Sequence, residues 1–222
     1  MNWISEILLT LPAVLLALMA HELSHGFMAY KLGDPTAKMM GRLSLNPLKH
    51  LDPIGTVCMV LFRFGWARPV PINARYFRNP RRDTALTALA GPIANLCLAF
   101  LAVPCYLGLY GLYYSVATGP SASAFLLKII EYFYYFFVLL HQVNVGLALF
   151  NLIPIPPLDG SRVLLSFLPT RYYFAFMRYE RMIALALMIF LLLGNRFGFL
   201  SIFASYFSVG MEAVWKLIPI FR

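Results

Sequence analysis

The sequence predicts an all-α polytopic membrane protein, and three observations support this fold class. Of its 222 residues, 61% are hydrophobic and 12% are charged, and the mean hydropathy is +0.74. A soluble core of this size does not need such an apolar fraction, whereas a bundle of bilayer-spanning helices does. The apolar residues fall into runs near the about 20 residues that cross a bilayer. The longest polar stretch is confined to residues 33–83.

Five predicted spans fit the apolar runs and make residues 1–222 a single membrane-embedded domain. They cover residues 3–30, 84–114, 125–150, 172–194 and 197–217. We expect Pro92 and Pro104 to interrupt the second span, because a proline inside a helix removes a backbone donor and clashes with the preceding turn. Residues 33–83, after the first span, form a short extended and re-entrant region. Their apolar part, residues 54–62, is too short to cross a bilayer and is predicted to be re-entrant or interfacial.

The charges predict how these spans are oriented. Half of the 18 Lys and Arg lie in the first polar stretch, namely Lys38, Arg42, Lys49, Arg63, Arg68, Arg75, Arg78, Arg81 and Arg82. By the positive-inside rule this stretch is cytoplasmic, where its bases meet anionic lipid headgroups rather than nucleic acid. The link of residues 115–123 carries no charge and is therefore outside. With five spans, the amino terminus is outside and the carboxyl terminus is cytoplasmic.

The most informative motif is HELSH at residues 21–25, inside the first span. Each ionisable side chain at the centre of a bilayer helix costs about 2.5–3.5 kcal/mol on insertion scales, so three of them in five residues indicate a function. On a helix, His21 and His25 lie one turn apart on one face, where both can bind one Zn²⁺. Glu22 between them can act as a general base on a water. The site lies toward the cytoplasmic end of the span.

A catalytic zinc usually has three protein ligands, so one more is needed. The candidates in membrane context are Glu131, His141, Asp159, Glu180 and Glu212. Glu131 and Glu180 lie near span ends, Glu212 can pair with Lys216 four residues later, and His141 suits a polar contact between helices. Asp159 lies in a proline-rich stretch that cannot be a regular helix, residues 151–160. Such backbone at membrane depth lines a cavity or is buried in protein, which favours Asp159 as the ligand. The alternative is that Asp159 caps the helix beginning at Ser161.

These segments together resemble the site-2 protease family of intramembrane metalloproteases. Residues 21–25 match its H-E-x-x-H signature, and residues 151–160 (NLIPIPPLDG) match N-x-x-P-x-x-P-x-D-G. Residues 91–95 (GPIAN) look like the G-x-x-x-N motif of the intervening span. Residues 33–36 and 41–47 resemble the stretch that follows the zinc helix in many members. The resemblance covers residues 20–166.

The resemblance implies an endopeptidase that cuts transmembrane helices of other membrane proteins, as in regulated intramembrane proteolysis. One Zn²⁺ per chain would be bound by His21, His25 and Asp159, with Glu22 as general base. The chain has no insert long enough for a PDZ domain and no carboxyl-terminal CBS pair. It therefore resembles the minimal prokaryotic type, an integral protein of the plasma membrane.

Two further residues receive roles from the resemblance. Asn151 would stabilise the developing oxyanion, and Asn95 would line the substrate cleft. From the residues alone, Asn151 could equally well cap the backbone groups that Pro154 leaves without a helical hydrogen bond. A substrate helix must unwind before attack, and residues 42–45 or 66–72 could hold it as an added strand. The alternative for these two stretches is a basic surface loop facing lipid.

A function of a different class also fits part of the pattern. Broken helices with polar groups near the membrane midplane are typical of transporters and channels. That alternative leaves Glu22, beside two potential zinc ligands, without a role. A third alternative is a catalytically silent scaffold that zinc stabilises, although all the presumed catalytic residues are present.

The charge asymmetry generates a topology prediction. A reporter fused after Arg82 or after Arg222 should report the cytoplasm, and one inserted at Gly119 should report the outside, because basic loops stay inside. Activity of compartment-specific reporters in cells measures this. A cytoplasmic signal at Gly119 would contradict both the orientation and the depth of the site.

Overall fold

A computed structural model describes residues 3–62, 67–119, 123–169, 176, 178–193 and 198–221. Within these ranges the protein is helical and contains no strand, only an isolated antiparallel bridge between Leu51 and Ala67. The all-α prediction is therefore confirmed. The helices are α1 (Trp3–Lys31), α2 (Thr36–Met39), α3 (Pro53–Phe62), α4 (Pro80–Thr118), α5 (Ala124–Asn151), α6 (Asp159–Phe167), α7 (Glu180–Leu193) and α8 (Gly198–Trp215).

Three of the described helices are long and apolar enough to cross a membrane. They are α4, α5 and the Ile7–Lys31 part of α1, and they correspond to the first three predicted spans. Helices α7 and α8 have 14 and 18 residues and do not meet the same standard of length and hydropathy. A total of five spans therefore stays a prediction. Residues 172–175, 177 and 194 of the predicted fourth span and residue 197 of the predicted fifth lie outside the described residues.

Helix α4 differs from the sequence prediction because it runs without interruption through Pro92 and Pro104. A membrane helix tolerates proline where neighbouring helices and local adjustments satisfy the freed backbone groups. Pro92 is fully buried against such neighbours. The 39 residues of α4 measure about 58 Å at the rise of an α-helix, so α4 exceeds a hydrocarbon core of about 30 Å.

Helix α4 is also the centre of the bundle, packed against α1, α5 and α6. Small side chains line these contacts. Ala13 and Ala17 of α1, Ala99 and Ala102 of α4, and Ala148 of α5 are almost completely buried. Small residues let helix backbones approach closely, which is typical of packing between membrane helices. Many large apolar side chains are instead exposed on the outside of the bundle, as expected of a surface that faces lipid.

A polar cluster joins α8 to the bundle. The His141 Nδ1 donates to the carbonyl oxygen of Ala99 at 3.0 Å, and the hydroxyl of Ser208 lies 2.8 Å from His141 Nε2. The Tyr106 hydroxyl donates to Glu212 Oε1 at 2.7 Å. His141 thus makes the contact between helices that its mid-span position predicts.

The chain turns sharply between α5 and α6. Helix α5 ends at Asn151, residues 152–158 form turns and bends, and α6 begins at Asp159. A Cβ at Gly160 would overlap the backbone of Leu152 and Ile153. Glycine at this position therefore allows the chain to fold back on itself and bring α6 against α4.

The segment between α1 and α4 contains the short helices α2 and α3 and an extended stretch, residues 67–73, which we call the strap. The strap crosses the face of α1 that carries Glu22. Residues 54–62, predicted to be re-entrant or interfacial, fall within α3, where Ile54 and Val57 are exposed.

Candidate metal centre and active site

The structure brings His21, His25 and Asp159 together, although the third is 134 positions after the second in the chain. The two Nε2 atoms lie 3.0 Å apart, and Asp159 Oδ2 lies 3.1 Å from His21 Nε2 and 3.3 Å from His25 Nε2. Among the described residues, these three form the group of His, Cys, Asp or Glu with potential metal-ligand atoms close together. Asp159 is the first residue of α6 and Leu158 is its N-cap, so the alternative of Asp159 as the cap does not fit.

Hydrogen bonds behind the rings fix the tautomers of both histidines. Asn95 Nδ2 donates to the carbonyl oxygen of Ala17 at 3.0 Å, so Asn95 Oδ1 faces His21 Nδ1, at 2.7 Å, as an acceptor. His25 Nδ1 lies 2.7 Å from the carbonyl oxygen of Thr87. Both Nδ1 atoms must therefore carry a proton, and each neutral ring presents a lone pair at Nε2.

The donor set fits a zinc ion. Two imidazole lone pairs and a carboxylate oxygen converge, and Asp159 Oδ2 is buried without a hydrogen-bond donor. Without a cation these groups would repel one another in a site where His21 and His25 are 5% and 7% exposed. Tetrahedral ligands at about 2.0–2.1 Å from zinc lie about 3.3 Å apart, close to the spacing of the three atoms.

Behind His21 lies a buried amide network that the sequence analysis did not find. Asn95 Nδ2 also donates to Asn144 Oδ1 at 2.6 Å, and Asn144 Nδ2 donates to the carbonyl oxygen of Leu140 at 2.7 Å. Both amides are fully buried. Asn95, expected from the resemblance to line the substrate cleft, thus contacts the back of a histidine and is absent from the cavity wall. The only sign of this network in the sequence was the position of Asn144, a polar residue in the middle of a predicted span.

Glu22 and Asn151 face the same cavity as the three clustered side chains. The cavity has a volume of about 570 Å³, and its wall includes His21, Glu22, His25, Val70, Thr87, Asn151, Asp159 and Arg162. Glu22 Oε2 accepts a hydrogen bond from the Val70 backbone N–H at 2.8 Å. Asn151 Nδ2 donates to the carbonyl oxygen of Leu147 at 3.0 Å within its own helix.

Three of the other acidic candidates lie elsewhere. Glu180 forms an ion pair with Arg162, and Glu212 forms the predicted ion pair with Lys216 at 2.8 Å. Glu131 is exposed on α5. None of the three belongs to the group around His21.

Close approach of α4 to the histidines depends on Gly91. A Cβ at this position would lie 2.5 Å from His25 Nε2 and 2.7 Å from His21 Cε1. Real Cβ atoms do not come so near to other atoms, so any larger residue must displace the rings. The glycine of the GPIAN motif is therefore needed for α4 to pack closely against the two histidines.

Comparisons with known proteins agree with this geometry. The model of peptidase family M50 matches residues 9–194. A protein of Bacillus subtilis named "Putative zinc metalloprotease YwhC" is 45% identical over 149 residues, which cover 67% of this chain and 64% of that protein. One of Mycolicibacterium smegmatis named "Putative zinc metalloprotease Rip2" is 30% identical over 166 residues, 72% of this chain and 57% of the relative. No solved structure matches the chain.

The chain belongs to peptidase family M50, the site-2 protease family, because the family model covers most of its length. The family predicted from the motifs is thereby confirmed, and it is a zinc-dependent family. With its apolar helices, the chain is an integral membrane protein. It spans about two thirds or less of the length of the curated relatives that it matches.

Gly91 generates a prediction about metal binding. Gly91→Ala should lower zinc affinity on the order of 10–100-fold, because the new methyl group pushes both imidazoles out of place. Metal analysis after dialysis against a chelator measures this. Gly111→Ala is the matched control on α4, since nothing lies within 4 Å of its added Cβ. Equal zinc retention in both variants would show that the close approach does not position the rings.

Proposed function

We propose that this protein is a zinc-dependent endopeptidase that cleaves transmembrane segments of other membrane proteins within the bilayer. The main support is the convergence of three ligand lone pairs in a cavity that also contains Glu22. Helix α1, which carries HELSH, and helix α5, which ends at Asn151, are both able to span a membrane. Membership of family M50 supports the same reaction class.

The ligands of the zinc, one ion per chain, are His21, His25 and Asp159. Zinc held there would polarise the scissile carbonyl and lower the pKa of a water molecule to about 7. Glu22 takes a proton from the attacking water and passes it to the leaving amine. Glu22 is not a ligand in this proposal, because the group of close ligand atoms is formed by His21, His25 and Asp159 without it.

Asn151 has the role of stabilising the oxyanion. Its side-chain amide has two N–H donors, and one of them is used by the Leu147 carbonyl. The second can donate to the tetrahedral oxyanion, since Asn151 lies in the cavity wall. The bond to Leu147 holds the amide in place, so the helix contact and the catalytic contact are compatible.

The remaining architecture is part of the proposal. Residues 1–222 form one domain with five spans, in which α7 and α8 complete the set and the turns of residues 152–158 lie at membrane depth. The amino terminus is outside, the carboxyl terminus is cytoplasmic, and the site opens toward the cytoplasmic side of a prokaryotic plasma membrane. The substrate's helix unwinds before cleavage, because its peptide bonds are otherwise engaged in hydrogen bonds.

The ligand assignment predicts how variants retain metal. Asp159→Ala should lose most of its zinc, because it removes one of three protein ligands and leaves the ion poorly satisfied in an apolar site. His141→Ala, which alters the polar cluster at α8, should keep about one zinc per chain. Metal quantification on the purified proteins distinguishes the two. Equal loss in both variants would contradict the assignment.

The catalytic assignment predicts a separation of metal binding from cleavage. Glu22→Gln should keep its zinc and lose cleavage of a transmembrane substrate, because the amide has the same size and no basicity. Asn151→Ala should keep its zinc and lose about 10²–10³-fold in rate, as for other oxyanion donors. Bound zinc and cleavage rate are measured on one detergent preparation. A zinc-loaded Glu22→Gln protein that cleaves at the wild-type rate would contradict the role of Glu22 as general base, whereas a zinc-loaded wild type that cleaves no transmembrane substrate would favour the transporter alternative.

A further inference from the structure

The strap provides a single backbone donor at the point where it crosses α1. Pro69 and Pro71 flank Val70, and proline has no N–H, so residues 69–71 contain only the Val70 N–H. That N–H donates to Glu22 Oε2 at 2.8 Å. The Val70 N–H is therefore hydrogen-bonded to Glu22, the residue proposed as general base.

Packing on α1 fixes the height of Val70 above the helix. Its side chain is 6% exposed and lies over Gly26, one helical turn after Glu22. A Cβ at Gly26 would come within 2.9 Å of Val70 Cγ1 and 2.7 Å of Leu43 Cδ2. The glycine therefore lets Val70 lie close enough for its N–H to reach the carboxylate.

Arg42 holds the first part of the strap. Its Nη2 donates to the carbonyl oxygen of Arg68 at 2.6 Å and is 3.3 Å from that of Pro69, while Nη1 donates to the carbonyl oxygen of Lys49. A guanidinium fork can engage several acceptors at fixed angles, whereas a lysine ammonium cannot reproduce that geometry. Burial and, next, the neighbouring Arg68 lower the pKa of Arg42 from its usual value, while the Glu22 carboxylate acts in the opposite direction.

Asp34 holds the far end of the strap. This carboxylate is fully buried, its Oδ2 accepts from the Asn73 N–H at 2.6 Å, and its Oδ1 accepts from the Thr36 N–H at 2.9 Å. The Asp34 N–H in turn donates to the carbonyl oxygen of Ala29 near the end of α1, at 2.9 Å. The far end of the strap is therefore tied through Asp34 to the helix that carries the zinc motif, and Arg42 ties its first part to the carbonyl oxygen of Lys49.

We propose that the strap is a positioning device for the general base, in which the Val70 N–H fixes one oxygen of Glu22 and Arg42 and Asp34 act through the strap. This inference rests on the proposed peptidase function. With one oxygen fixed, the carboxylate plane is set and the other oxygen is left for the attacking water. Misplacement of a reacting group by about 1 Å can cost 10²-fold in rate.

The test compares Val70→Pro with Val70→Ala in the full chain. Proline removes the N–H and suits extended backbone, whereas alanine keeps the N–H and shortens only the side chain. Val70→Pro should retain zinc and KM and lose about 10²-fold in kcat, since only transition-state positioning is lost. Val70→Ala loses the packing over Gly26 but keeps the N–H, so its loss in kcat should be clearly smaller than that of Val70→Pro.

A second pair of variants tests the support of the strap. Arg42→Lys keeps the positive charge but loses the planar guanidinium that binds several carbonyl oxygens at once. It should therefore also lower kcat, with zinc retained. Arg78→Lys is its control, because Arg78 is exposed beyond the strap. Hydrogen–deuterium exchange gives a readout independent of cleavage. The Val70 amide should exchange faster in Glu22→Ala than in the wild type, and Glu22→Gln, which keeps an acceptor, should resemble the wild type.

Two results would overturn the positioning role. One is a Val70→Pro enzyme that cleaves as fast as Val70→Ala. The other is a Val70 amide whose exchange does not respond to Glu22→Ala. A failure of the proposed function looks different, because the zinc-loaded wild type would then cleave no transmembrane substrate at all.

Discussion

The structure depends on the two hydrogen bonds behind the imidazoles. Asn95 Oδ1 and the Thr87 carbonyl oxygen both come from α4, and they force each Nε2 lone pair toward the same point. Gly91, between them on the same helix, allows the backbone of α4 to approach the rings. The buried position of α4 in the bundle is therefore the same feature that fixes the donor atoms, which links helix packing directly to metal binding.

The sequence was sufficient for much of the fold because membrane helices leave a simple signal. Length and hydropathy located α1, α4 and α5, and the HELSH motif placed two imidazoles on one face of α1. Asp159 was favoured from its proline-rich surroundings, and the family motifs then identified it as the third ligand. The continuity of α4 through its prolines was not predictable, since proline breaks or kinks a helix unless neighbouring helices support it.

The contacts that support the histidines and Glu22 could not be predicted from the sequence. The Asn95–Asn144 pair joins helices 49 residues apart in the chain, and the Glu22–Val70 bond joins residues 48 apart. Neither contact produces a periodic pattern in the sequence. The role of Asn95 illustrates the difficulty, because a motif shows that a polar residue matters and does not show which side of the site it occupies. The strap is a second example: the sequence allowed an added strand or a surface loop at residues 66–72, and only the tertiary contacts show that the Val70 N–H bonds Glu22.

Zinc K-edge X-ray absorption of the wild-type protein tests the central claim most directly, namely that two tautomer-fixed imidazoles and one carboxylate converge on the metal. The account predicts outer-shell scattering from two imidazoles, with nitrogen and oxygen neighbours at about 2.0–2.1 Å. A sulfur neighbour at about 2.3 Å, which one of Cys58, Cys97 or Cys105 would have to provide, would contradict it. Scattering from three imidazoles would contradict it as well, since it would replace Asp159 with His50 or His141.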